Sequence, residues 1–90
     1  MTRLWIKICG LSTREAIEAA ALAGADAVGF VFHEASPRNV TVESARALQP
    51  HVPSGLERVA VFLHPSQDLV ETVVAAIRPD WVQADAEDLS

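Results

Sequence analysis

Apolar and polar positions along this chain follow two periods, and the two periods take turns. Residues 4–9 (Leu-Trp-Ile-Lys-Ile-Cys) make a short, mostly apolar run closed by Gly10, which reads as a strand. Ser12-Thr13-Arg14-Glu15 then matches a capping box, with the Ser12 hydroxyl and the Glu15 carboxylate expected to satisfy free N–H groups at a helix start. Ala16, Ile17, Ala20 and Ala21 share one helical face, and Gly24 suits a left-handed stop. Residues 26–32 repeat the strand pattern with an almost unbroken apolar run, as a parallel sheet covered by helices requires.

A longer loop, residues 33–40, carries Ser36-Pro37-Arg38. Thr41 is placed to cap a second helix reaching Gln49, which buries Val42, Ala45 and Leu48 and is ended by Pro50. Pro53, Ser54 and Gly55 make the return turn, and residues 57–64 form a third strand. Pro65-Ser66 leads into the clearest 3.6-residue stripe of the chain, Leu69, Val70, Val73, Val74 and Ile77, stopped by Pro79. Residues 80–84 are a fourth strand. The sum is β-α-β-α-β-α-β within residues 1–90, with no linker, low-complexity run or internal boundary. Strict alternation implies α/β architecture with parallel strands and right-handed crossovers. Periodicity leaves two forms open, a small doubly wound sheet or the beginning of a closed barrel.

Both forms put ligands at the carboxyl ends of the strands, which directs attention to a few side chains. Strand alternation sets Trp5, Lys7 and Cys9 on one face and Leu4, Ile6 and Ile8 on the other. The aliphatic face should lie against helices, so the Trp-Lys-Cys face should point into a barrel, with Cys9 uppermost. By position alone a lone cysteine is a small buried hydrophobe more often than a reactive thiolate. Lys7 in an apolar strand calls for a partner, and no carboxylate stands out as that partner. Arg38 suits carboxylate or phosphate recognition, although a solvated loop arginine is the commoner case. His33, His51 and His64 lack metal-ligand spacing, and no Gly-rich phosphate or dinucleotide loop is present. Asp85, Glu87 and Asp88 form an acidic end expected to be solvated.

Composition narrows the function classes. The chain has a formal net charge of −5, which disfavours nucleic acid and anionic membrane surfaces but not an anionic small molecule at a local site. No apolar run approaches the roughly 18–20 residues of a membrane span. Lys7 interrupts what would have to be the apolar core of a signal peptide. One cysteine forms no internal disulfide, which fits a reducing cytoplasm.

Four motifs in order resemble the phosphoribosylanthranilate isomerases: Lys7-Ile8-Cys9-Gly10-Leu11 with its capped helix, Gly24 through Phe32 with Ser36-Pro37-Arg38, Val59-Ala60-Val61-Phe62, and Val82-Gln83. The resemblance implies the N-terminal β-α-β-α-β-α-β portion of a (β/α)₈ TIM barrel. It also implies an aldose–ketose isomerase of tryptophan biosynthesis, without metal or organic cofactor, acting on an anionic sugar phosphate. Such enzymes carry out an Amadori rearrangement of N-(5-phosphoribosyl)anthranilate to 1-(2-carboxyphenylamino)-1-deoxyribulose 5-phosphate. On that resemblance Cys9 is the catalytic base and Arg38 the contact for the anthranilate carboxylate. The chain departs from the family at Asn39, where an aromatic residue is usual, and at Gln83-Ala84-Asp85-Ala86, where Gln-Leu-His-Gly is usual. The family's aspartate acid and phosphate-binding loops belong to later strands, so these ninety residues alone are expected to be inactive. The alternatives are a non-catalytic half-barrel whose open sheet edges self-associate or bind a partner, and a small α/β binding module.

Overall fold

A computed structural model describes residues 4–85. Its elements are β1 (Lys7–Cys9), α1 (Arg14–Leu22), β2 (Ala27–Phe32), α2 (Val42–Leu48), β3 (Glu57–Leu63), α3 (Gln67–Ile77) and β4 (Trp81–Asp85). The four strands form one parallel sheet in the order β1-β2-β3-β4. A doubly wound sheet reverses its strand order at a switch point. This sheet never reverses, so right-handed crossovers bring all three helices to the same face. The winding is that of a barrel segment.

The helix-covered face holds the core. Ile17 and Ala20 of α1, Ala45 of α2, and Val73 and Ile77 of α3 are buried in one cluster with Val28, Phe30, Phe32, Ala60 and Phe62. The Phe32 and Phe62 rings stack with centroids 5.6 Å apart. Each large side chain buried here contributes roughly 1.5–3 kcal/mol.

Two aspartates lock the sheet where helices return to it. The Asp26 carboxylate accepts the Ile6 N–H at 2.8 Å, and the Asp80 carboxylate accepts the Arg58 N–H at 2.8 Å. Each lies just before one strand and grips the neighbouring segment, Asp26 the residue ahead of β1 and Asp80 a residue within β3. Gly24, at φ +86°, ends α1 in a Schellman turn, with the Ala25 N–H bonded to the Ala20 carbonyl at 3.1 Å.

Local boundaries differ from the sequence expectation for identifiable reasons. Thr13, not Ser12, caps α1: its extended backbone aims the hydroxyl at the Ala16 N–H, 3.1 Å away. The Ser12–Glu15 capping box is therefore out of register by one residue. Paired β1 begins at Lys7 because β2 begins at Ala27, leaving residues 4–6 beyond the ladder. Pro50 does not cut α2 off; Gln49–His51 continue as a 3₁₀ turn, whose early positions need no proline N–H. Strand β3 stops at Leu63 because His64 turns into the left-handed region, φ +46°.

Candidate active site at the carboxyl ends of the strands

The face turned away from the helices carries Lys7 and Cys9 of β1, Gly29 and Val31 of β2, Glu57, Val59 and Val61 of β3, and Trp81 and Gln83 of β4. Although two strands separate β1 from β4, the Lys7 ammonium donates a hydrogen bond to Oε1 of Gln83. Both indoles donate to one carboxylate: Trp5 to Glu57 Oε1 at 3.3 Å, and Trp81 to Glu57 Oε2 at 2.9 Å. These contacts span a sheet that curls, with its concave side inward. The partner of Lys7 is thus a neutral amide across the hollow, which strand parity alone does not identify. Glu57 escaped the sequence reading as well, and its even spacing from Val59 and Val61 was the available signal.

Cys9 is the last residue of β1, half-buried, with a free thiol. Gly10, at φ +83°, turns the chain out of the strand; its N–H and that of Leu11 both donate to the Gly29 carbonyl, at 3.0 and 3.2 Å. Gly29 lies opposite Cys9 in register, and a Cβ there would come within 2.9 Å of Sγ. Glycine at this position is what gives the sulfur its place.

Arg38 arrives from the loop between β2 and α2. That loop is two tight turns: the Ser36 N–H donates to the His33 carbonyl at 2.9 Å, and the Asn39 N–H donates to the Ser36 carbonyl at 3.1 Å. The Ser36 hydroxyl accepts the Arg38 N–H at 3.1 Å, and Val40 rejoins β2 through the Val31 carbonyl at 2.9 Å. The arginine stem then crosses Gly10, its Cδ 2.5 Å from where a Cβ on Gly10 would stand. Cys9 and Arg38, 29 residues apart in the chain, therefore flank the same glycine. Among the described residues, no group hydrogen-bonds the Arg38 guanidinium.

The other candidates lie elsewhere. His33 and His64 line a hollow of about 620 Å³ with Glu34, Asn39 and Ser66, and neither Cys9 nor Arg38 is among its lining residues. Two hollows of about 350 and 360 Å³ run along the concave face and share Gln83 and Ala84. Asn39 is half-buried and contributes a backbone bridge to Val31. No group of three or more potential metal ligands occurs among the described residues, and no helix there is long and apolar enough to cross a membrane. The acidic end falls outside the described residues except for the backbone of Asp85.

Residues 6–87 match the family model described as N-(5'-phosphoribosyl)anthranilate (PRA) isomerase. The chain belongs to that family. It is 53% identical over 78 residues to the N-(5'-phosphoribosyl)anthranilate isomerase of Rhodopseudomonas palustris strain HaA2, covering 87% of this chain. It is 43% identical over 81 residues to that of Bordetella pertussis, covering 90% of this chain. The crystal structure of phosphoribosyl anthranilate isomerase from Thermotoga maritima superposes with a TM-score of 0.86 at 33% identity, over 91% of this chain and 40% of that one. A phosphoribosyl anthranilate isomerase crystallised with reduced 1-(o-carboxyphenylamino)-1-deoxyribulose 5-phosphate gives the same TM-score, 0.86, over 42% of its length. The chain spans 36% of the Rhodopseudomonas relative and 37% of the Bordetella one. The half-barrel winding and the isomerase family thus agree.

Proposed function

We propose that this chain provides the proton-abstracting and carboxylate-binding half of a phosphoribosylanthranilate isomerase, a cytoplasmic enzyme of tryptophan biosynthesis. The observation that carries the reading is the convergence of Cys9 and Arg38 on Gly10 at the mouth of the curled sheet. Arg38 offers a planar fork to the anthranilate carboxylate of an anionic sugar phosphate. Opening of the ribose ring leaves an iminium between nitrogen and C1. Cys9, as thiolate, takes the proton from C2; the C–H electron pair becomes a C1–C2 double bond and the iminium nitrogen is neutralised. The resulting enol gives up its hydroxyl proton, C1 gains one, and the C2 ketone forms. The acid that opens the ring and the phosphate loops belong, by family resemblance, to strands beyond these four.

Fusing residues 1–85 to the corresponding C-terminal portion of the Rhodopseudomonas relative supplies those parts and tests the reading. Turnover of phosphoribosylanthranilate is expected from the fusion and none from the ninety-residue chain. Cys9→Ala should lower kcat by roughly 10²–10⁴-fold, the range of a lost general base. A rate close to the parent's would remove Cys9 from that role.

A second reading, favoured by the exposed apolar side chains of Leu4, Trp5 and Ile6 just ahead of β1 and of Trp81 and Val82 on β4, is a half-barrel that self-associates or binds a partner through its sheet edges.

A further inference from the structure

His33 directly follows β2 and is half-buried, yet among the described residues no group hydrogen-bonds its imidazole. Phe32 fixes its direction. The Phe32 ring stacks on Phe62 in the helix-covered core, and alternation turns the next residue to the concave face. The imidazole accordingly borders the concave hollow of about 350 Å³, with Val31, Ser36, Val61, Leu63 and Gln83. Strands β2 and β3 are each paired on both sides, so their carboxyl ends stand inside the sheet and not at its boundary.

The turns that deliver Arg38 also hold His33. The His33 carbonyl accepts the Ser36 N–H at 2.9 Å, the Ser36 hydroxyl accepts the Arg38 N–H at 3.1 Å, and Asn39 bridges back to Val31. His33 and Arg38 thus sit at the two ends of one loop folded back on β2. Arg38 leaves it across Gly10, beside Cys9, and His33 leaves it on the side of β3. Val31, Val61 and Leu63 give the hollow apolar walls that suit a flat ring, and an imidazole at its rim suits a polar group on that ring.

Resting on the isomerase reading, we propose that His33 is a specificity-determining contact for the aryl end of the substrate. The ring lies against Val31, Val61 and Leu63, and the imidazole N–H donates to the aryl carboxylate. A carboxylate offers about four lone-pair sites, so a bidentate arginine leaves room for this further donor. The carboxylate keeps its charge throughout the rearrangement. The contact is therefore equally strong before and during proton transfer, and it sets KM, not kcat.

The fusion of residues 1–85 to the C-terminal portion of the Rhodopseudomonas relative tests the contact. Its inhibitors are reduced 1-(o-carboxyphenylamino)-1-deoxyribulose 5-phosphate and the counterpart lacking the carboxyl group. His33→Ala is expected to raise KM and the inhibition constant of the carboxylated compound roughly 10–100-fold, the range of a hydrogen bond to a charged group. Both kcat and inhibition by the carboxyl-free compound should hold. His33→Gln, which keeps an N–H donor, should recover part of the loss, and His33→Phe, which keeps only a ring, should not. These two variants carry the comparison if His33→Ala impairs folding. Equal losses for the two inhibitors would show that His33 shapes the hollow without touching the carboxylate, and would overturn the contact. An unchanged KM, or a fall in kcat alone, overturns it as well. Those outcomes leave the isomerase reading standing as long as the parent fusion turns over and Cys9→Ala slows it. A folded parent fusion without turnover overturns the reading and the contact together.

Discussion

The side chain of Arg38 lies across Gly10, in space that a Cβ on Gly10 would fill: the distance to Cδ would be 2.5 Å. Gly10 also holds a left-handed φ of +83°, so glycine answers two demands at once. One is backbone geometry and the other is the seat of the guanidinium. Gly10→Ala is expected to cost about 1–2 kcal/mol from the left-handed conformation alone, read by urea unfolding of the chain. In a completed barrel it should also raise KM by displacing Arg38. Arg38→Ala separates the two effects: the residue is exposed, so stability should hold. KM should rise roughly 10–100-fold for the loss of a charge-assisted pair. An unchanged KM for Arg38→Ala would exclude the carboxylate contact.

Gly29 and Cys9 are related in the same way one strand further along. Gly29 is buried, and a Cβ would lie 2.9 Å from the Cys9 sulfur and 3.4 Å from Val61 Cγ2. Its backbone is not left-handed, so any penalty in Gly29→Ala is steric. Overpacking of this kind typically costs about 1–3 kcal/mol. Thiol alkylation should report the displacement independently, because the half-buried sulfur would be pushed towards the concave side and react faster. Stability and alkylation rate both at parent values would mean that the strands yield without moving the sulfur.

Much of this was legible in the sequence. The alternation of periods gave the element order, strand parity put Trp5, Lys7 and Cys9 on one face, and Gly24 and Thr41 marked a stop and a start that the structure keeps. Two kinds of information were not local. Curvature is a property of the whole sheet, so the contact from Lys7 to Gln83 and the double contact at Glu57 follow from closure and not from spacing. The path of the loop bearing Arg38 depends on turn bonds made by Ser36, and the motif Ser-Pro-Arg names the residue without giving its direction.

The start of α1 makes the same point on a smaller scale, because two adjacent hydroxyls compete for one role. Thr13 has the extended backbone of a cap, φ −135° and ψ 155°, and bonds the Ala16 N–H at 3.1 Å. Ser12 is exposed and precedes the cap. Thr13→Ala is expected to lower stability by about 1 kcal/mol, the usual cost of losing a hydroxyl cap. Ser12→Ala should stay within about 0.5 kcal/mol, as exposed substitutions away from such features do. Equal effects in urea unfolding would restore the capping box one residue earlier.

Arg58 is expected to be the most costly single polar residue to remove, because one guanidinium closes three gaps. It points to the helix-covered side of β3, where α3 ends with Arg78 in the left-handed conformation, φ 45°. The last carbonyls of a helix lack intrahelical donors and carry the negative end of its dipole. Nη1 donates to the Ile77 carbonyl at 2.7 Å and Nη2 to the Arg78 carbonyl at 2.6 Å. Nη1 also reaches Gln49 Oε1 at 3.2 Å, tying in the turn after α2, and Nε lies 3.6 Å from the Asp80 carboxylate. The arginine is only 26% exposed, so water replaces these bonds incompletely. Arg58→Ala should therefore destabilise the chain by about 2–3 kcal/mol, with the urea midpoint falling and the slope unchanged. Arg58→Lys should recover only part, since an ammonium cannot present donors to both carbonyls in the plane of a fork. Amide exchange in the last turn of α3 should accelerate in both variants, and more in Arg58→Ala. A loss below about 0.5 kcal/mol in Arg58→Ala, the range of an ordinary surface substitution, would show that solvent satisfies the helix end as well as the arginine does.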